Sequence, residues 1–299
     1  MTDQNPRLGI LLMVVTMFIF AMQDGLSRHL AGEYNVYMVI MIRYWVFAAF
    51  VIMWSARTTG GLARAARSAQ PKLQFFRGAL LAVEVIIMVI GFVKLGLVES
   101  HAIFATYPLI ITALSGPILG ERVGWRRWLS VAIGFFGVMI ILMPDGDVFS
   151  PAVIFPLASA AMFALYGLLN RYVSRKDPAA VTFFYTGISG AAVMTLIGVW
   201  FWEPMSLNDW TWMITLCASA IVGHYLLIRA YELSEASAIQ PFAYLQLAFA
   251  SGVGVVFFGD IIRLNVAIGT SIVVGAGIFA LVRAQLAARR ARSGAPTAP

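Results

Sequence analysis

Ten runs of about twenty apolar residues constrain this chain of 299 residues more than any other feature. They are Leu8–Ser27, Val36–Ser55, Phe75–Val93, Ser100–Leu119, Trp125–Met143, Val153–Tyr172, Ala180–Phe201, Thr211–Leu233, Ala236–Phe258 and Leu264–Ala284. About 20 apolar residues let a helix cross roughly 30 Å of hydrocarbon. The breaks are charged or turn-like: Arg28-His29, Pro71-Lys72, Glu121-Arg122, Pro144-Asp145-Gly146-Asp147 and Lys176-Asp177-Pro178. Membrane strands would alternate over about ten residues, and these runs do not. Charged residues make up 12% of the chain, against about 25% in a soluble domain. With 61% hydrophobic residues and a mean hydropathy of +0.85, a soluble enzyme, a disordered chain and a secreted disulfide scaffold are excluded. What remains is an all-α integral membrane protein of ten transmembrane helices. Its single cysteine, Cys217, lies in an apolar run and forms no intrachain disulfide.

Lys and Arg set the orientation. Of the 21 basic residues, Arg43 lies within a span, and Arg28, Lys94 and Arg263 fall in one set of alternate connections. The remaining 17 share the other side, which places both termini in the cytoplasm. The net charge of +7 therefore reads as basic loops facing lipid headgroups, with no nucleic-acid partner. Residues 1–7 read as a cytoplasmic N-terminus and 287–299 as a disordered basic cytoplasmic tail.

Two halves, 8–143 and 153–286, echo one another. Leu97-Val98-Glu99-Ser100-His101-Ala102-Ile103 returns as Leu233-Ser234-Glu235-Ala236-Ser237-Ala238-Ile239, and Ser115-Gly116 as Ser251-Gly252. Gly120-Glu121 matches Gly259-Asp260, while Phe20-Ala21 with Arg28 matches Phe163-Ala164 with Arg171. A half of five helices re-enters the membrane inverted, and the site in such proteins lies near the midplane between the halves. Two halves that rock against each other suit transport by alternating access.

These echoes, with Gly137 and Gly269 at matching places, resemble the drug/metabolite transporter superfamily, EamA type. Within it the chain is most similar to the YddG-like bacterial amino-acid exporters. The resemblance implies two inverted five-helix repeats in a bacterial inner membrane and a small-molecule substrate. It leaves the substrate itself open.

Charge inside a membrane costs at least about 2.5 kcal/mol, so polar residues within the runs mark a cavity or a partner. Glu84, nine residues into the third run, sits near the midplane. It reads either as a cavity carboxylate that binds an ammonium or exchanges a proton, or as a buried helix–helix bond. Arg43 reads as the partner of Asp24 or Glu84, or as a fork for a substrate carboxylate. Gln23 lies beside Asp24. His224 is a proton-relay candidate or a packing residue, and His101 falls at the outer mouth of the fourth run. Thr106-Tyr107-Pro108 and Gln240-Pro241, followed by Tyr244 and Gln246, interrupt backbone hydrogen bonding in both halves. Pro108 and Pro241 are thus gating or kink candidates, and the rings of Tyr107 and Tyr244 are pocket candidates. Tyr166, Asn170 and Tyr185 come second.

No HExxH, CxxC or Walker loop is present, so neither enzyme chemistry, a metal nor a cofactor is expected. The expected function is a secondary active or facilitative transporter that exports amino acids, aromatic and hydrophobic ones included, or related small metabolites. The competing readings are a non-transporting scaffold or receptor, and a drug or nucleoside exporter of the same fold.

Overall fold

The computed structural model describes residues 6–57, 60–120, 125–141, 150–234, 239 and 242–293, and among these there is no strand. The helices are α1 (Pro6–Glu33), α2 (Val36–Arg57), α3 (Gly61–Ala66), α4 (Pro71–Leu95), α5 (Leu97–Phe104) and α6 (Tyr107–Leu119). They continue as α7 (Trp125–Ile141), α8 (Ile154–Val173), α9 (Ala179–Gly198), α10 (Leu207–Leu233), α11 (Leu245–Phe258) and α12 (Leu264–Ser293). Single turns of 3₁₀ helix precede α8 and follow α9.

Seven segments among the described residues are long and apolar enough to cross a membrane, α5 and α6 together counting as one. The fifth, ninth and tenth expected spans appear as the shorter apolar stretches Ala132–Ile141, Leu245–Phe258 and Leu264–Ala276. The helices overrun several expected limits. Helix α1 continues six residues past Ser27 to Glu33, and α10 begins at Leu207, where Ser206 accepts the Asp209 N–H as an N-cap. At the other end of the chain, α12 runs to Ser293, beyond the expected end at 286. Ala287, Ala288, Ala291 and the arginines among them are strong helix formers, and Gly294 follows.

The fourth run is broken, because helical bonding lapses at Ala105-Thr106 and resumes at Tyr107 with Pro108 in the first turn. A proline supplies no N–H there and is tolerated at a helix start for that reason. Its counterpart Pro241, like Gln240, Glu121 and Glu235, lies outside the described residues.

Burial is inverted relative to a soluble protein. Arg43, Arg77, Glu84 and His101 are almost wholly enclosed, whereas Leu196, Trp200, Val256 and Phe257 are each more than 70% exposed. An apolar outer face is what a lipid solvent requires. Most tryptophans sit exposed near helix ends, Trp125, Trp200 and Trp202 among them, where indole rings favour the interface.

Helix pairs are drawn together by small residues. Helices α7 and α12 cross with Gly137 against Gly269. A Cβ added at Gly269 would stand 2.5 Å from the Gly137 carbonyl oxygen, and one at Gly137 would stand 2.8 Å from that of Gly269. Such backbone-to-backbone approach is possible only without side chains. Gly269→Val should therefore force the pair apart and cost about 1–3 kcal/mol. A lower unfolding midpoint of the purified protein would show it, and an unchanged midpoint would refute the close crossing.

Candidate functional site

Helices α1, α2, α4, α5, α8, α10 and α11 surround one polar cavity of about 40 Å³. That is room for a few waters, against roughly 300 Å³ and more in pockets that hold ligands. Gln23, Arg43, Glu84, His224 and Gln246, five of the sequence-derived candidates, line it together, with Asp24, Ser27 and His101. Phe20, Phe92, Phe104 and Phe163 supply aromatic walls. The convergence has a simple cause. Each of these polar residues interrupts an apolar run, and the bundle interior is where a lipid-embedded helix can shelter one.

The pairings differ from those expected. Arg43, seven residues into α2 and 1% exposed, meets neither Asp24 nor Glu84 in an ion pair. Its Nη2 instead lies 3.1 Å from His224 Nε2 on α10. A guanidinium has no acceptor, so that nitrogen of His224 accepts and the proton of a neutral ring sits on Nδ1. The His224 ring packs on Phe20 (5.0 Å between centroids) and Phe47 (6.1 Å). The Arg43 Nε–H has no acceptor among the described residues. Glu84 accepts a hydrogen bond from Ser159 on α8. Asp24 accepts from Gln246 Nε2 at 3.0 Å and has His101 Nε2 at 3.1 Å, close enough for an ion pair though off the hydrogen-bonding direction.

His101 corrects the sequence reading. It is 1% exposed rather than open at a mouth, because its ring stacks on Phe92 at 5.1 Å and meets the edge of Phe104 at 6.0 Å. The tyrosines also lie elsewhere. Tyr107 packs edge-on to Phe163 at 5.0 Å, one layer behind the wall. Tyr166 is fully buried between Phe163 and Arg77. Tyr244 faces a separate, largely apolar groove of about 350 Å³ between α5, α11 and α12. Tyr185 donates to the Ala66 carbonyl near α3.

Arg77 belongs to a second polar cluster that the sequence reading placed with the basic loops. Fully buried in α4, it donates to Gln74 Oε1 (3.2 Å), Asn170 Oδ1 (2.9 Å), the Thr182 carbonyl (2.6 Å) and Thr186 Oγ1 (2.8 Å). Gln74 in turn donates to Asp177 at 3.0 Å. The available signal was its place inside the third apolar run, seven residues before Glu84 and so on nearly the same helix face.

Asp260, which follows α11, ties three elements together. It receives Arg28 Nη1 on both carboxylate oxygens (2.8 and 2.9 Å) and the N–H groups of Leu97 (2.8 Å) and Val98 (3.2 Å) that open α5. Gly96 precedes them at φ +84°, a conformation that L side chains rarely adopt. Asp260 thus has a structural part, holding a helix start against a neighbouring helix.

The profile of the EamA-like transporter family matches residues 7–143 and again 150–283. An S-adenosylmethionine uptake transporter of Rickettsia prowazekii is 22% identical over 275 residues, covering 91% of each chain. A riboflavin transporter of Vibrio cholerae is 24% identical over 275 residues, 90% of this chain and 91% of that one. A crystal structure 17% identical in sequence superposes with a TM-score of 0.64 over 93% of this chain and 96% of the other, a likeness of fold.

Replacing Asp260 by Asn keeps the shape but leaves Arg28 without its anion and the start of α5 with a weaker acceptor. The expected loss is about 1–3 kcal/mol of stability, read as a lower unfolding midpoint in detergent. No loss would mean that Asp260 does not hold α5.

Proposed function

Because the chain belongs to the EamA-like transporter family, we propose that it exports amino acids or related small metabolites across a bacterial inner membrane. The carrier works by alternating access of two inverted five-helix halves, with both termini in the cytoplasm. One observation carries the substrate reading. A buried guanidinium with an unused N–H and no carboxylate partner among the described residues shares a small aromatic-walled cavity with two carboxylates, Asp24 and Glu84. A ligand that brings a carboxylate to Arg43 and an ammonium to the carboxylates satisfies all three.

Gln23 and Gln246 orient such a ligand, and the phenylalanine rings favour an apolar or aromatic side chain. Tyr107 and Tyr166 brace those rings from behind. Tyr244 reaches the path only if α11 moves. Glu84 and His224, the ionisable groups first considered as proton carriers, serve here to hold the ammonium and to position the guanidinium.

The packing supports two inverted halves. With α5 and α6 taken as one span, exchanging first-half for second-half helices converts the α1–α10 contact into α8–α4. The same exchange returns α2–α9 and α7–α12 to themselves, and all four contacts are present. The two stretches matched by the family profile support it further. A cavity this small cannot take an amino acid, so transport requires the walls to part. The broken segment Ala105-Thr106 with Pro108, and Pro241 in the other half, are the gating points in this reading.

The test is counterflow in proteoliposomes with amino acids, nucleosides, cationic drugs, S-adenosylmethionine and riboflavin as competitors. Amino acids with apolar side chains should compete. Arg43→Gln should raise the apparent KM roughly 10- to 100-fold, the value of a charge-assisted hydrogen bond of about 1.5–3 kcal/mol. Competition by nucleosides, drugs or riboflavin alone would replace the substrate class. Exchange of nothing would favour a scaffold or receptor.

A further inference from the structure

Among the described residues, three buried charges lie outside the cavity: Arg77, Asp177 and Glu232. Glu232 is paired with Arg229. Asp177 is answered by the Ser68 hydroxyl, by the Ala69 N–H at 2.7 Å and by Gln74 Nε2 at 3.0 Å. Arg77 has no carboxylate within ion-pair distance among the described residues. Gln74 stands between it and Asp177, donating to the acid and accepting from the guanidinium.

The surroundings of Arg77 hold more donors than acceptors. A guanidinium carries five N–H groups and no acceptor, and four of its N–H groups go to neutral oxygens. The Asn170 oxygen faces Arg77, and the amide nitrogen of the same side chain finds no acceptor. Tyr166, one turn earlier on α8, has its ring centre 5.2 Å from the guanidinium carbon and a hydroxyl without a partner. Both side chains belong to residues no more than 2% exposed. Buried donors left unmade are costly. The complement to a guanidinium, an amide N–H and a phenol O–H gathered in one place is an anion with two oxygens.

We propose that Arg77, Asn170 and Tyr166 form a second carboxylate site, between the cavity and the Asp177 end of the bundle. This rests on the reading of the chain as a carrier of metabolites that bear a carboxylate. The site is closed here, with Arg77 Nη2 on the Thr182 carbonyl and the Thr186 hydroxyl of α9. When α9 draws back from α4, a carboxylate takes those two bonds, and the unused donors of Asn170 and Tyr166 lie beside it. The exchange orphans neither threonine oxygen, because Thr186 Oγ1 already donates to the Thr182 carbonyl at 2.9 Å. Neutral acceptors are traded for a charged one, which makes the stronger hydrogen bonds.

Arg77 lies about 10 Å along α4 from Glu84 on nearly the same face. On the facing helix α8, Asn170 meets Arg77 and Ser159 meets Glu84, with Tyr166 and the cavity wall Phe163 between them. The two carboxylate sites differ in kind. The cavity has Asp24 and Glu84 for an ammonium. At Arg77 the neighbouring acid is Asp177, which already holds three donors, so this site reads the acid end of a ligand and is indifferent to an amine. The basic residues put the Asp177 connection on the cytoplasmic side with both termini. An outgoing amino acid then meets Arg77 first and Arg43 second.

The probe is phenylacetate, a carboxylate without an amine, and its binding to purified protein is measured by calorimetry. Arg43→Gln removes the cavity guanidinium, so phenylacetate should still bind, now at Arg77. Adding Asn170→Asp sets a resident carboxylate beside Arg77 Nη1, where the amide oxygen stands at 2.9 Å. The affinity should then fall at least about tenfold. Because the change is isosteric and gives Arg77 an ion pair, the unfolding midpoint should not drop below that of Arg43→Gln. Failure of phenylacetate to bind Arg43→Gln overturns the site. So does binding that ignores Asn170→Asp, or a midpoint that falls, since Arg77 then takes no anion there. In the otherwise wild-type chain, Asn170→Asp should raise the apparent KM for phenylalanine counterflow about tenfold, and unchanged counterflow overturns the site independently of Arg43. Counterflow by the wild-type protein separates the two readings. Exchange without phenylacetate binding to Arg43→Gln keeps the carrier and removes this site, whereas binding that depends on Asn170 without exchange keeps the site and removes the carrier.

Discussion

Hydrocarbon offers no water, so each polar group taken into this bundle must be answered from within it. The way the charges are answered is unusual in detail. Arg43 leans on an imidazole, Arg77 on four neutral oxygens, and Glu84 on a serine hydroxyl. Neutral partners solvate a charge without cancelling it, and they let go more readily than a matched ion would. That leaves the interior polar and enclosed, with charges that are solvated but not cancelled. The shape of the fold follows from the same constraint, because the helices place lipid-compatible surface outward and collect their few polar residues on inward faces.

Much of this was legible in the residues because the bilayer converts sequence length into architecture. A run such as Val36–Ser55 is a spanning helix almost by its length alone, and it appears as α2 with two further residues. Glu84, Arg43, Gln23, His224 and Gln246 were legible for a related reason: each breaks an apolar run that has no other use for it. Partner choice was not legible. Whether Arg43 meets Glu84, Asp24 or His224 depends on the rotation of α2 relative to α1, α4 and α10, and a turn of one residue moves a side chain by 100°. The error at His101 has another origin. Its position near the start of a run suggested exposure, whereas the ring folds back between Phe92 of the preceding helix and Phe104 a turn further on. Arg77 was misassigned because a cation near a helix start resembles a topology signal until its neighbours are known.

Tyrosines were the least reliable guide. Tyr107 and Tyr244 occupy related places in the two halves of the sequence, yet one backs the polar cavity and the other faces an apolar groove. A repeat in sequence does not oblige the two copies to be in the same state at the same moment. The two halves are therefore packed differently around the small polar cavity and the apolar groove.

Asp260 adds a kinetic consequence. Its two oxygens hold a guanidinium and two peptide N–H groups belonging to separate helices. To separate α5 from α1 there, this carboxylate has to part from the guanidinium or from both N–H groups. Either way at least two hydrogen bonds break together, which slows any parting of α5 from α1 at that end.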